Sequence, residues 1–129
     1  MKKLLKSSKA PKAIGPYSPA IEVEGFKKII FLSGQIPLDP ETGEMVGVDI
    51  KEQAKRVLLN IQALLEEINL SLENVVKNTV FLTNLQDFSD FNEVYKEFFK
   101  EIYPARTTIE VKGLPRGSLI EIESIAVEF

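Results

Sequence analysis

The chain contains no cysteine and no histidine among its 129 residues. Those two absences remove whole classes of chemistry: a disulfide framework, a thiol nucleophile, a serine–histidine pair and a Cys/His zinc site are all excluded. Any catalysis has to draw on Glu, Asp, Lys, Tyr, Arg, Ser, Thr or backbone groups. A net positive field is also missing, since 16 Lys and Arg stand against 19 Asp and Glu for a formal charge of −3. Nothing therefore gathers phosphate by charge alone, which argues against nucleic acid as a partner. Long apolar runs are absent too. The opening MKKLLKSSKAPKA is basic but lacks the roughly 7–15-residue apolar stretch of a signal peptide, and no segment approaches the ~18 apolar residues of a membrane span. The expectation is a cytoplasmic protein without membrane association, folded as one domain over residues 1–129. A domain of that size buries about two-thirds of its unfolded surface.

What is present divides by periodicity. Residues 1–10 are rich in Lys and Ser and read as loose, and AIGPYSP (13–19) is a loop punctuated by Gly and Pro. Residues 20–34 alternate on either side of Glu24-Gly25 and predict two strands joined by a tight turn. IPLDPETGEM (36–45) is loop. At Asp49 the period changes. Asp49 with Glu52 makes a capping-box pattern, and Ile50, Ala54, Val57, Leu58, Ile61, Leu64, Leu65 and Ile68 recur at helical spacing. NVVKNTVFLTN (74–84) is rich in β-branched residues and reads as a strand. A second helix starts near Asp87 or Ser89, with Phe91, Tyr95, Phe98 and Ile102 along one side. Two last strands, 106–112 and 119–128, flank a turn at 113–118. The order β-β-α-β-α-β-β is an α+β fold, with both helices on one face of a mixed or mostly antiparallel sheet. Strand 75–83 is apolar on both sides: Val75 and Phe81 on one, Val76, Val80 and Leu82 on the other. The sheet face away from the helices should therefore meet other subunits.

Alternation along the strands sorts the candidate functional groups. Arg106, Thr108 and Glu110 point one way, while Glu121 and Glu123 share a face of the last strand. If the last two strands form a hairpin, a guanidinium and a carboxylate can line one wall. The planar fork of Arg106 suits a ligand carboxylate, and a glutamate beside it can orient or deprotonate a water. Cross-strand ion pairing explains the same residues more plainly, at under about 1 kcal/mol when exposed. Tyr17 in GPYS reads as a packing or loop-anchoring tyrosine. Ser33-Gly34 is a plain exit turn, or a place where a ligand approaches backbone with no Cβ in the way. Asn92 reads as solvated or as a local cap. The stripe Phe91, Tyr95, Phe98 is core, and Lys2, Lys3, Lys6, Lys9 and Lys12 form a solvated tail. No glycine-rich phosphate loop, metal-ligand spacing or dinucleotide fingerprint occurs. On their own these residues describe an α+β domain with a candidate carboxylate site and name no reaction.

AIGPYS at 13–18, FLSGQIPLDPETGE at 31–44, VVKNTVFLTNLQDFSDFNEVY at 75–95 and PARTTIEV…LPRGSLIEIESIAV at 104–127 resemble, in order and over nearly the whole chain, the reactive intermediate deaminase (RidA) family. The resemblance implies a chorismate-mutase-like α+β fold assembled as a homotrimer, with ligand sites in clefts between subunits. It implies hydrolysis of enamine and imine intermediates, such as 2-aminoacrylate, 2-iminopropanoate and 2-iminobutanoate, to 2-keto acids and ammonia. It implies no cofactor and no metal. Carried over residue by residue, Arg106 holds the substrate carboxylate and Glu121 positions the attacking water. Tyr17, Ser33, Gly34 and Asn92 line the cleft, and Thr108 stands where many members carry a cysteine. Any thiol role is therefore absent here. Thr107 replaces a common serine and Pro19 a frequent glutamine. The rival readings are a non-catalytic binder of small carboxylates, a ribonuclease or translation inhibitor, and a chaperone-like protein. The second is disfavoured by the negative charge and missing histidine.

Overall fold

The computed structural model describes residues 1–129. Its strands are β1 (Lys2–Leu5), β2 (Ala20–Val23), β3 (Lys28–Gln35), β4 (Val75–Leu82), β5 (Ala105–Glu110) and β6 (Ile120–Glu128). Its two helices are α1 (Ile50–Glu66) and α2 (Phe88–Phe98). β1 and β2 form a small antiparallel sheet, and the main sheet runs β3-β6-β4-β5. The first residues are thus not loose. Lys2–Leu5 pairs with Ala20–Val23, and the Lys2 ammonium is pinned at 2.8 Å to the carbonyl of Glu73.

Two expected hairpins are not hairpins. The turn at Gly25 is present, with φ of +67°, but β2 and β3 enter different sheets. β5 does not pair with β6. It pairs in parallel with β4, and β4 pairs antiparallel with β6. The reason is α2: a helix between two strands carries the chain back to its starting end, so the second strand runs parallel to the first. β6 then fills the place between β3 and β4.

Capping and periodicity set α1 as expected. Asp49 accepts a hydrogen bond from the Glu52 backbone N–H at 2.9 Å, while the Glu52 carboxylate accepts from Val48 rather than from the cap itself. Its buried face is Ile50, Gln53, Ala54, Val57, Leu58, Ile61 and Leu65, which leaves Leu64 and Ile68 exposed. In α2 the buried stripe is Phe91, Val94, Tyr95 and then Phe99 at the cap. Phe98 is half-buried, and Ile102 lies beyond the helix. Both helices pack on one side of the main sheet, against Leu32, Val75, Val80, Leu82, Ile120, Ile122 and Ala126. A bulge between Val75 and Lys77 moves Val75 to this core side and away from Phe81.

The other side of the sheet is open and partly apolar. Ile29, Phe31 and Ile109 are 48%, 70% and 41% exposed. Gln53 is one of the polar side chains buried on the helix side: its amide donates to the Gly47 carbonyl at 3.1 Å and accepts from the Leu119 N–H at 2.8 Å. Gln53→Leu leaves both backbone groups unpaired and should cost about 2 kcal/mol. Asp49→Ala, which removes an exposed cap, should cost about 1 kcal/mol. Urea unfolding at one fixed protein concentration orders the two.

Candidate functional site

Arg106 is built into the molecule from three directions. On β5 its register partner is Asn78 of β4, whose own partner across β4 is Ser124 of β6, so all three face the helices. Helical spacing on α2 brings Phe88, Phe91 and Tyr95 to the same place. The loop at 13–19 adds Tyr17. It is held by a bond from Ser18 N–H to the Pro104 carbonyl at 3.1 Å and by one from Ile14 N–H to the Tyr17 hydroxyl at 3.3 Å. The guanidinium carbon lies 4.8 Å from the ring centre of Tyr95, 5.2 Å from Phe91, 5.5 Å from Tyr17 and 5.6 Å from Phe88. Beneath it the Asn78 amide donates to the Tyr95 hydroxyl at 2.7 Å, and the Ser124 hydroxyl donates to Asn78.

No carboxylate answers this cation. The ion pairs of the chain are Lys28–Glu128 and Lys51–Glu93. Glu110, on the same face of β5, accepts instead from the Leu85 N–H at 2.9 Å. Aromatic faces attract a guanidinium by about 0.5–2 kcal/mol but accept no conventional hydrogen bond from it. Three buried side-chain atoms in the protein lack any partner: Arg106 Nη1, Thr108 Oγ1 and Asn92 Oδ1. Buried polar atoms are nearly always paired, and all three sit in this one neighbourhood. Burial pulls Arg106 below its ordinary pKa, with the phenols of Tyr95 and Tyr17 opposing. Burial also pushes Tyr95 up to about 12, against the Asn78 bond and the Arg106 charge.

Ser33, Gly34 and Glu121 form a second group. The β3–β6 ladder bulges between Leu32 and Gln35, leaving Ser33 exposed with its carbonyl accepting from the Gln35 amide at 3.2 Å. Gly34 leaves room for the Glu121 carboxylate. A Cβ there would stand 2.7 Å from the Glu121 carboxyl carbon, so the flexible end of that side chain would have to move. Glu121 is in register with Phe81 and thus on the open face. Phe81 and Asn78 are three residues apart on β4, so Glu121 and Arg106 look out of opposite sides of the sheet. One chain does not bring them together, which corrects the shared-wall expectation. The cause is the register: through Asn78 of β4, Arg106 lines up with Ser124, three residues from Glu121 on β6.

The predicted residues thus fall into two sets: Tyr17, Asn92, Arg106 and Thr108 on the helix side, and Ser33, Gly34 and Glu121 on the open side. Sequence reading missed Phe88, Asn78 and Ser124, and took Tyr95 for core alone. A polar Asn inside the apolar run of β4 was the available signal. No three His, Cys, Asp or Glu side chains are placed to share a metal ion.

A family model described as endoribonuclease L-PSP matches residues 7–128. The chain belongs to that family. Among its members, a RutC family protein of Pyrococcus abyssi is 58% identical over 97% of this chain and 96% of its own length. The 2-iminobutanoate/2-iminopropanoate deaminase of Homo sapiens is 42% identical over 99% of this chain and 91% of its own. The crystal structure of Escherichia coli TdcF with bound serine superposes with a TM-score of 0.74, at 42% identity, covering 98% of this chain and 99% of that one. The deaminase resemblance drawn from the motifs holds at the level of family, and the α+β fold is that of the L-PSP family structures.

Two outcomes follow for an L-PSP family member built this way. Gly34→Ala should displace the Glu121 carboxylate while leaving the β3–β6 pairing intact, which a crystal structure of the variant will show. Tyr95 has a folded pKa of about 12 above an unfolded value of roughly 10. It therefore contributes full stability below roughly pH 10 and loses it as pH rises toward 12. Tyr95→Phe should flatten stability across that alkaline window and remove the latest part of the phenolate absorbance titration.

Proposed function

We propose that this protein hydrolyses small 2-imino acids and their enamine tautomers, released by pyridoxal-phosphate enzymes, to 2-keto acids and ammonia. The observation that carries the reading is the unanswered guanidinium: a cation desolvated among four rings, with an unpartnered Nη1 beside two further unpartnered polar atoms. A small carboxylate is the partner that a forked guanidinium binds through two oxygens. The deaminase names of relatives 42–44% identical and the serine bound by TdcF support the same reading.

The separation of Arg106 from Glu121 supports a site shared between subunits. We place the protein in a chorismate-mutase-like homotrimer in which the open sheet face, with Ile29, Phe31 and Ile109, is covered by neighbouring copies. The Arg106 cluster of one subunit then meets the Gly34–Glu121 step of the next. Arg106 fixes the carboxylate, and Glu121 orients a water and takes its proton. The water oxygen bonds to the imine carbon while the C=N π pair moves to nitrogen, giving a carbinolamine. Proton transfer to that nitrogen and loss of ammonia leave the 2-keto acid, so water and iminium become keto acid and ammonium. The imine carbon is already electrophilic, and positioning with proton transfer supplies the rest. Thr108 offers a hydroxyl and no thiol chemistry, and no cofactor enters. No helix is long and apolar enough to cross a membrane, and the reading puts the protein in the cytoplasm with the enzymes that release its substrates.

The family description names an endoribonuclease. A net charge of −3 and the lack of histidine weigh against that activity here, and RNA binding that falls steeply with salt is the observation that favours it.

The test is a coupled assay in which a pyridoxal-phosphate dehydratase generates the imine and keto-acid formation is followed. Wild type accelerates it. Arg106→Ala should lose about a hundredfold or more in kcat/KM, and Glu121→Gln about 10²–10⁴-fold. Mixing the two inactive variants at equal amounts and reassembling them should restore about one site in four, half times half, if each site takes Arg106 and Glu121 from different subunits. No recovery in verified mixed oligomers sinks the shared site. Equal rates with and without wild-type protein point instead to a non-catalytic carboxylate binder.

A further inference from the structure

The pose of the Arg106 guanidinium is set by rings, not by hydrogen bonds. Its Nη1 is buried without a partner, and an aromatic face attracts a cation without fixing the angle of its plane. The orientation of the fork therefore depends on where those rings stand. Tyr95 is the nearest of them, with its centre 4.8 Å from the guanidinium carbon. That ring belongs to α2, whereas Arg106 belongs to β5.

One polar connection ties the ring to the sheet. Ser124 of β6, Asn78 of β4 and Arg106 of β5 stand in a single row across three strands. The Ser124 hydroxyl donates to the Asn78 carbonyl oxygen, and the Asn78 amide donates to the Tyr95 hydroxyl at 2.7 Å. Asn78 and Tyr95 are fully buried and Ser124 nearly so. Asn and Ser are seldom buried in an apolar core, and a satisfied chain of them fixes one arrangement of its members. The other rings have no such tie to the sheet. Phe88 and Phe91 carry no polar tip, and the Tyr17 hydroxyl accepts from Ile14 of its own loop.

We infer that Asn78 is a positioning residue for the Arg106 anchor: with Ser124 behind it, Asn78 locks the Tyr95 ring where the guanidinium presents its fork to a ligand carboxylate. Asn78 is closed off from solvent and acts through Tyr95. The inference rests on the reading of Arg106 as the carboxylate anchor of the deaminase. A row that served the core alone would behave differently, because removing all its polar atoms together would then restore the site along with stability.

That difference is the test. Asn78→Leu alone strands two buried hydroxyls, so its instability would not separate the two roles. The triple variant Ser124→Ala, Asn78→Leu, Tyr95→Phe strands neither, and replacing every partner by an apolar group is close to neutral for stability. Its new ring still packs between Phe91 and Phe99, whose centres lie 5.4 and 4.5 Å from that of Tyr95. Urea unfolding should place the triple variant near wild type. Calorimetric titration should show pyruvate, a carboxylate probe, bound about tenfold more weakly. NMR relaxation of the Arg106 Nε–H should show a rigid group in wild type and a mobile one in the variant. Ser124→Ala alone removes only the hydroxyl behind Asn78 and should weaken pyruvate about threefold. Wild-type affinity and rigidity in a folded triple variant overturn the inference. So do an unfolded triple variant with Ser124→Ala unchanged, a mobile guanidinium in wild type, or a wild type that binds no pyruvate. Failure of the deaminase reading shows separately, as absent turnover in the coupled assay while pyruvate binding still follows the row.

Discussion

The helix side of this molecule is organised around a partly desolvated guanidinium that has aromatic neighbours and no carboxylate. Partial burial of a cation is unfavourable unless it is paired. Arg106 receives instead four aromatic faces and a neutral phenol beneath. Each ring is fixed by something else. Phe88, Phe91 and Tyr95 depend on the phase of α2, Tyr17 on the loop bonded to Pro104 and Tyr103, and Tyr95 on Asn78 and Ser124. The arrangement fixes the guanidinium in place among groups that are themselves fixed. Preorganisation of this kind places binding energy where orientation matters.

The open face carries Glu121. Gly34 permits the Glu121 carboxylate to lie against the backbone, and a bulge lifts Ser33-Gly34 out of the β3–β6 ladder. Around it stand exposed Ile29, Phe31 and Ile109, a surface that water covers poorly. A guanidinium set on one side of a sheet and a carboxylate on the other cannot share a small substrate within one chain.

Local pattern made the elements legible, and pairing was where it failed. The helical spacing from Ile50 to Leu65 and the Asp49 cap are short-range signals, and both stand in the structure. The second apolar face is not carried by strand 75–83 as expected: Val75, Val80 and Leu82 all join the core and leave Phe81 beside Lys77 and Thr79, while the exposed apolar residues are Ile29 and Phe31 of β3 and Ile109 of β5. The choice of strand neighbours is non-local. Nothing in the run from 106 to 128 tells that β4 separates β5 from β6, so Arg106 and Glu121 were set on one wall when they lie on opposite ones. The loose N-terminus failed for the same reason: Lys2–Leu5 is a strand only because Ala20–Val23 is there to pair with it. Arg106, Thr108 and Asn92 were legible as candidates through motif resemblance. Composition alone could not show that they would be the residues left without partners, since that depends on what α2 and the 13–19 loop fail to supply.

The central position of β6 has a consequence for how the protein is made. Ile120–Glu128 is the last strand in chain order, yet it lies between β3 and β4 and joins them. While the chain grows on the ribosome, β4, α2 and β5 can associate as a parallel unit, but β3 has no neighbour in the main sheet until residue 120 and beyond has emerged. The helix-side core therefore closes only once β6 has emerged, through contacts as distant in sequence as Ile30 with Ala126. Before that moment the apolar strands β3 and β4 are exposed along their edges, and at that stage the nascent chain is most in need of protection from aggregation.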